Sequence, residues 1–147
     1  MLFRSVVGVL AAGAFAANNV QADAAVDAKY RQTVMKTLGG HMGAIGQILK
    51  VGMPAGHLAG HTAAIKAISL MAPDIFPAGS GGGKSNAKPE IWSKPGDFKM
   101  AIANFQKAAA NIAEAGMSAD RAKVGAAMKA LGGACGGCHK AFRVKKE

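Results

Sequence analysis

Residues 118–143 read SADRAKVGAAMKALGGACGGCHKAFR, and the fold follows from this stretch. Val124, Met128, Leu131, Cys135, Cys138 and Phe142 recur at alternating steps of four and three. That is the seam of an amphipathic helix, not the period-two pattern of a strand. Ser118 is placed to cap this helix, and Asp120 to sit favourably in its first turn. Near its far end stands Cys135-Gly136-Gly137-Cys138-His139. On a helix, positions 135, 138 and 139 are spaced i, i+3 and i+4, so all three side chains leave one face. Two thiols followed directly by an imidazole form the attachment pattern of a c-type haem. The thiols add across the haem vinyl groups as thioethers, and the imidazole reaches the iron from the same side. A disulfide between Cys135 and Cys138 would be strained in a regular helix. A thioredoxin-like pair needs a βαβ setting that is absent here. A zinc site needs about four ligands, and the other histidines, His41, His57 and His61, lie far away in sequence. One covalently attached haem c per chain is expected, with His139 as one axial ligand.

Working back from this helix, three more appear. Residues 95–116 carry Phe98, Ile102, Phe105, Ala109 and Ile112 on one side, with Pro95 at the start and Gly116 as the closing residue. Residues 73–90 are different in kind. Pro73, Pro77, Pro89 and the run Gly79-Ser80-Gly81-Gly82-Gly83 cannot continue a helix. A loop this long serves a site or crosses a bundle. Residues 55–72 form the second helix, with Leu58, His61, Ile65 and Ile68 on one side. Residues 26–50 form the first, whose seam is Met35, Leu38, Met42, Ile45 and Leu49. Four such seams predict an all-α fold, an antiparallel, left-handed four-helix bundle crossing at about +20°, with the haem against the C-terminal helix. Aromatic residues make up only 5% of the chain while Ala, Gly and Met abound. A core of small side chains leaves room for a bulky prosthetic group.

The N-terminus reads as a leader. Arg4 is the only charge before Asp23, an apolar run follows it, and Val20-Gln21-Ala22 and Ala22-Asp23-Ala24 offer cleavage sites. These are the marks of a secretory signal peptide over residues 1–22. The mature domain then spans 23–147, exported to the periplasm. The apolar run is shorter than the about 20 residues a membrane helix needs. The formal charge is +10 for the whole chain and loses Arg4 with the leader. A basic chain binds nucleic acid, membranes or acidic proteins. Export, the scatter of the lysines and the lack of stacking aromatics argue against nucleic acid. The expected partners are redox proteins with acidic surfaces, with an anionic membrane surface, contacted peripherally, as the alternative.

An exported four-helix chain with this motif near its C-terminus resembles the class II c-type cytochromes, the cytochrome c-prime family. Up-down four-helix bundles are that family's known architecture. The likeness includes Tyr30-Arg31-Gln32, Gly39-Gly40-His41-Met42-Gly43-Ala44-Ile45, Phe76-Pro77-Ala78-Gly79-Ser80, Pro89-Glu90-Ile91-Trp92 and the run 135–143, CGGCHKAFR. The resemblance implies that Met35, counted from Tyr30-Arg31-Gln32, faces the iron opposite His139. Met42 and His61 are rivals for that place. It implies that Arg31 lies beside a haem propionate with Gln32 at the same edge, and that Asn86 lies near the haem edge. Trp92 and Phe98 would wall the haem, Arg143 would lie by the proximal imidazole, and Lys84 would be solvated. Coordination by Met35 would place the chain with the family's low-spin, methionine-ligated members. Its expected function is then to carry single electrons through a six-coordinate His/Met iron, without catalytic residues in the enzymatic sense. A five-coordinate, high-spin iron that binds nitric oxide or other small gases is the alternative, and a haem-free helical interaction module is a third. Relatives include dimers formed through the first two helices, so monomer and homodimer both stay open.

Overall fold

The computed structural model describes residues 16–82 and 84–145, with side chains from residue 24 onward. Most of the expected leader, and its role as a cleaved segment, therefore lies outside the described residues. Helix α1 spans Ala16–Val51, ten residues longer at its start than the seam predicts. A seam reports only the packed part of a helix, whereas an alanine-rich opening without Gly or Pro propagates a helix on propensity alone. Helix α1 stops at Gly52, which adopts a φ of 74°. Helix α2 spans His57–Met71, the short α3 Glu90–Ser93, α4 Pro95–Met117 and α5 Arg121–Phe142. Helix α3 belongs to none of the four seams. It is a single turn between Pro89 and Pro95, too short for periodicity to reveal. Among the described residues there is no strand, only one isolated antiparallel bridge between Ala87 and Arg143.

Two boundary expectations need correction. Gly116 does not close α4; it is buried inside it. A Cβ at this position would run into the side chain of Thr62 on α2, so glycine is what lets α4 and α2 approach there. The chain reverses instead at Ala119, whose φ of 52° lies in the left-handed region. Ser118 belongs to the end of α4, its hydroxyl donating to the Ala115 carbonyl at 2.8 Å. Asp120 is the N-cap of α5: its Oδ1 accepts from the backbone N–H groups of Ala122 at 2.9 Å and Lys123 at 3.1 Å. Only the residue in extended backbone just before the first helical turn can cap it. Ser118 is separated from that position by the left-handed residue.

Helices α1, α2, α4 and α5 make the bundle; short connections join α1 to α2 and α4 to α5, and the long segment that carries α3 joins α2 to α4. Ile45, Leu58, Ile65, Ile112, Val124 and Leu131 are fully buried at its centre. Helix α1 packs on α2, α2 on α4 and α4 on α5, but α1 and α5 touch only slightly. The fourth side of the bundle is thus not closed by helix–helix packing. That gap positions the site.

Candidate functional site

The last two turns of α5 deliver Cys135, Cys138 and His139 to the side facing α1. They border a cavity of about 420 Å³, within the range of small-molecule and cofactor sites. Helix α1 contributes Arg31, Gln32, Met35, Leu38 and Met42 to the opposite wall. Helix α4 supplies Phe98, Ile102 and Phe105, and the long loop supplies Phe76, Ser85 and Asn86. Phe142 and Arg143 close the end nearest the chain terminus. The rings of Phe76, Phe98 and Phe142 form an edge-to-face row, with centroids 4.9 and 5.2 Å apart. That geometry suits aromatic rings and makes one rigid apolar wall.

Both cysteines are free thiols, half-buried. Burial pushes both thiols up from their ordinary value, and for Cys138 the neighbouring Cys135 adds to the shift. The His139 imidazole is pushed down, first by burial and then by the positive charge of Arg143. Arg143 Nη1 approaches His139 Nδ1 at 3.5 Å. Both effects favour the neutral imidazole, the form that coordinates a metal.

Arg31 organises the other rim. It is 5% exposed. Its Nη1 donates to the Ile75 carbonyl and to Ser80 Oγ, both at 2.9 Å. Its Nη2 donates to the Ser80 carbonyl at 2.8 Å and to Ser85 Oγ at 2.9 Å. The guanidinium also lies over the Phe76 ring, 4.9 Å from its centroid. Burial lowers its pKa, which Asp27 partly offsets, yet arginine stays charged in proteins. Four of its five N–H groups are committed to the loop, so its observed work is to pin residues 75–85 over the cavity. Gln32 adds a bond from Nε2 to the Lys84 carbonyl at 3.1 Å. The loop is also sewn to the end of α5, by Lys88 N–H to the Phe142 carbonyl at 2.9 Å and Val144 N–H to the Asn86 carbonyl at 2.8 Å.

Of the residues singled out in the sequence, Cys135, Cys138, His139, Met35, Arg31, Gln32, Asn86, Phe98 and Arg143 all border this cavity, as does Met42. Trp92 does not. Its indole Nε1–H donates to the Phe76 and Pro77 carbonyls at 3.2 and 3.1 Å, and its ring packs against Gly81. It props the loop from behind instead of walling the cavity, because a half-buried indole seeks a carbonyl for its N–H. His61 is also outside, paired with His41. Lys84 is exposed, as expected. Ser80 and Ser85, which receive Arg31, were not singled out; hydroxyls in an aperiodic loop give no signal of what they will face.

A family model described as Cytochrome C′ matches residues 27–143. The chain belongs to the cytochrome c′ family. A cytochrome c′ from Pararhodospirillum photometricum is 40% identical over 117 residues, covering 78% of this chain and 94% of the relative. A cytochrome c-556 from Agrobacterium fabrum is 38% identical over 149 residues and covers 99% of each. Among solved structures, a ferrous variant of cytochrome c prime from Alcaligenes xylosoxidans with bound NO is 30% identical, with a TM-score of 0.75 over 82% of this chain and 94% of that one. A carbon monoxide-bound variant of the same protein matches at a TM-score of 0.74 and 30% identity, over 81% and 94%. These neighbours are cytochrome c′ four-helix bundles, as the four seams predict.

Cytochrome c′ proteins bind one haem c covalently per chain. The cavity fits that group on its own chemistry. Two free thiols and a neutral imidazole border one apolar space, and the opposite rim carries a buried guanidinium with no carboxylate among its hydrogen-bond partners. Among the described residues, no helix is long and apolar enough to cross a membrane.

Proposed function

We propose that this chain is a periplasmic monohaem cytochrome c′ that binds small gases such as nitric oxide or carbon monoxide. Cys135 and Cys138 are the covalent anchors and His139 is the axial ligand. The observation that carries this reading is the cavity between α1 and α5, which is bordered by all three residues and otherwise mainly by apolar side chains. A bound haem would be held by Cys135, Cys138 and His139, and its iron would supply the affinity for a diatomic gas. The solved relatives that hold nitric oxide and carbon monoxide support the gas-binding reading over electron transfer. Leu38, Phe98 and Phe105 exclude water from the cavity. Arg31 and Gln32 hold the loop over its rim, and Arg31 brings a positive charge to the edge where acidic haem substituents would lie. Arg143 holds its charge against the face of His139 away from the ligating nitrogen. Export rests on the leader pattern of residues 1–22.

One residue favours a second reading. Met35 lies in the α1 wall of the cavity, one turn beyond Arg31, and its thioether is a soft ligand suited to haem iron. Coordination by Met35 would fill the second axial position, raise the reduction potential and make the chain an electron carrier, with acidic proteins as partners for its basic surface. The absorption spectrum of the purified ferrous protein, before and after carbon monoxide, separates the two. The gas-binding reading expects high-spin bands and stoichiometric carbon monoxide uptake. Low-spin bands that carbon monoxide does not move refute it, and assign the second position to Met35 if Met35→Leu then turns the iron high-spin and receptive. That swap conserves volume and costs less than about 1.5 kcal/mol of stability.

A further inference from the structure

His41 on α1 and His61 on α2 face each other across the helix pair. Their ring centroids are 5.3 Å apart, the planes are tilted by 57°, and the two Nδ1 atoms stand 3.0 Å from each other. Both residues are half-buried. His57 stands four residues before His61 on the same helix. The structure puts His57 in exposed surroundings as the first residue of α2 and gives His61 a partner on the neighbouring helix. Two imidazole nitrogens this close form one hydrogen bond, one donating and the other accepting. The same two nitrogens can instead donate their lone pairs to a metal ion.

We propose that His41 and His61 form a two-histidine site for a divalent metal ion of the kind imidazole nitrogens suit, such as nickel, copper or zinc. Metal–imidazole bonds are about 2.0–2.1 Å long. Two nitrogens 3.0 Å apart can therefore reach one ion once each ring turns about χ2, where the energy well is broad. Among the described residues, no group of three His, Cys, Asp or Glu side chains converges. Water completes the shell, and the ion is exchangeable. A bound ion clamps α1, whose next residue Met42 borders the haem cavity, to α2, and it stabilises the bundle by mass action.

The test is calorimetric titration of the purified haem-loaded protein with Ni²⁺. One saturable nickel site per chain is expected, weakened at least tenfold in His41→Ala and in His61→Ala and changed less than twofold in His57→Ala. His41→Asn keeps a polar side chain and is titrated alongside, so that a folding defect in the alanine variant does not decide the result; helix content and the haem spectrum monitor both. Absence of saturable nickel binding overturns the site. So does full affinity in the His41 variants, or a loss in His57→Ala that leaves the His41 variants unaffected, which would assign the ion to the pair within α2.

Discussion

Replacing Arg31 with Met keeps the side chain long and removes the charge together with four hydrogen bonds to the loop. Two of the acceptors are backbone carbonyls, those of Ile75 and Ser80, on residues that are 4% and 1% exposed. Each buried carbonyl left without a donor costs about 1–3 kcal/mol. The serine hydroxyls lose less, since Ser85 Oγ keeps its bond from the Ala87 N–H at 3.1 Å. Freeing the bundle from a buried guanidinium offsets part of the loss, because charge burial is itself unfavourable. The net destabilisation expected is about 2–4 kcal/mol, a large share of the roughly 5–15 kcal/mol that holds a domain together. Arg31→Lys should recover little of it, since a point charge on a flexible stem cannot serve three loop positions as a planar fork does. Ser80→Ala, which removes one acceptor and leaves the guanidinium its others, should cost only about 1 kcal/mol. Urea unfolding followed by helix content measures all three. If Arg31→Met falls within about 0.5 kcal/mol of the parent protein, the net value of less than one ordinary hydrogen bond, the guanidinium does not hold the loop and the account of the rim is wrong.

Gly116→Ala places a methyl group against Thr62 on α2 and should destabilise by about 1–3 kcal/mol, as overpacking does. Combining it with Thr62→Ala, which vacates the obstructed space, should cost less than the two single changes summed, as a thermal-melting double-mutant cycle would show. Asp120→Ala removes both capping bonds of α5 and should cost about 1 kcal/mol. Ser118→Ala should cost clearly less, and equal losses in the two variants would put the cap back at Ser118. Met35→Leu should cost less than about 1.5 kcal/mol in the same urea unfolding if Met35 does not ligate the iron, and more if it does.

The parts of this molecule legible in sequence are those that repeat or that combine unusual residues. The α5 seam from Val124 to Phe142 carries both signals, which is why the helix, the attachment motif and its inward direction could all be read. Met35 was legible through its place on the α1 seam and in the resemblance, and it does border the cavity. What could not be read depends on contacts between distant segments. The role of Gly116 is set by Thr62, 54 positions earlier in the chain. Trp92 was expected at the cavity through the family resemblance, but its N–H is drawn to the Phe76 and Pro77 carbonyls. The i, i+4 spacing of His57 and His61 is visible in a sequence, but His57 is exposed and the partner of His61 is elsewhere. The pairing with His41 depends on how α1 and α2 lie together. The cap shifted from Ser118 to Asp120 because Ala119 takes a left-handed conformation that alanine rarely adopts.

The central claim is that Cys135 and Cys138 tether one haem beside His139. Trypsin cleaves after Lys129 and Lys140, so the peptide spanning residues 130–140 carries the whole motif. Mass spectrometry of that peptide from the native protein should find it heavier by one haem, with no free thiol open to alkylation. The same peptide recovered from folded, exported protein with two alkylatable thiols and no added mass would contradict the account.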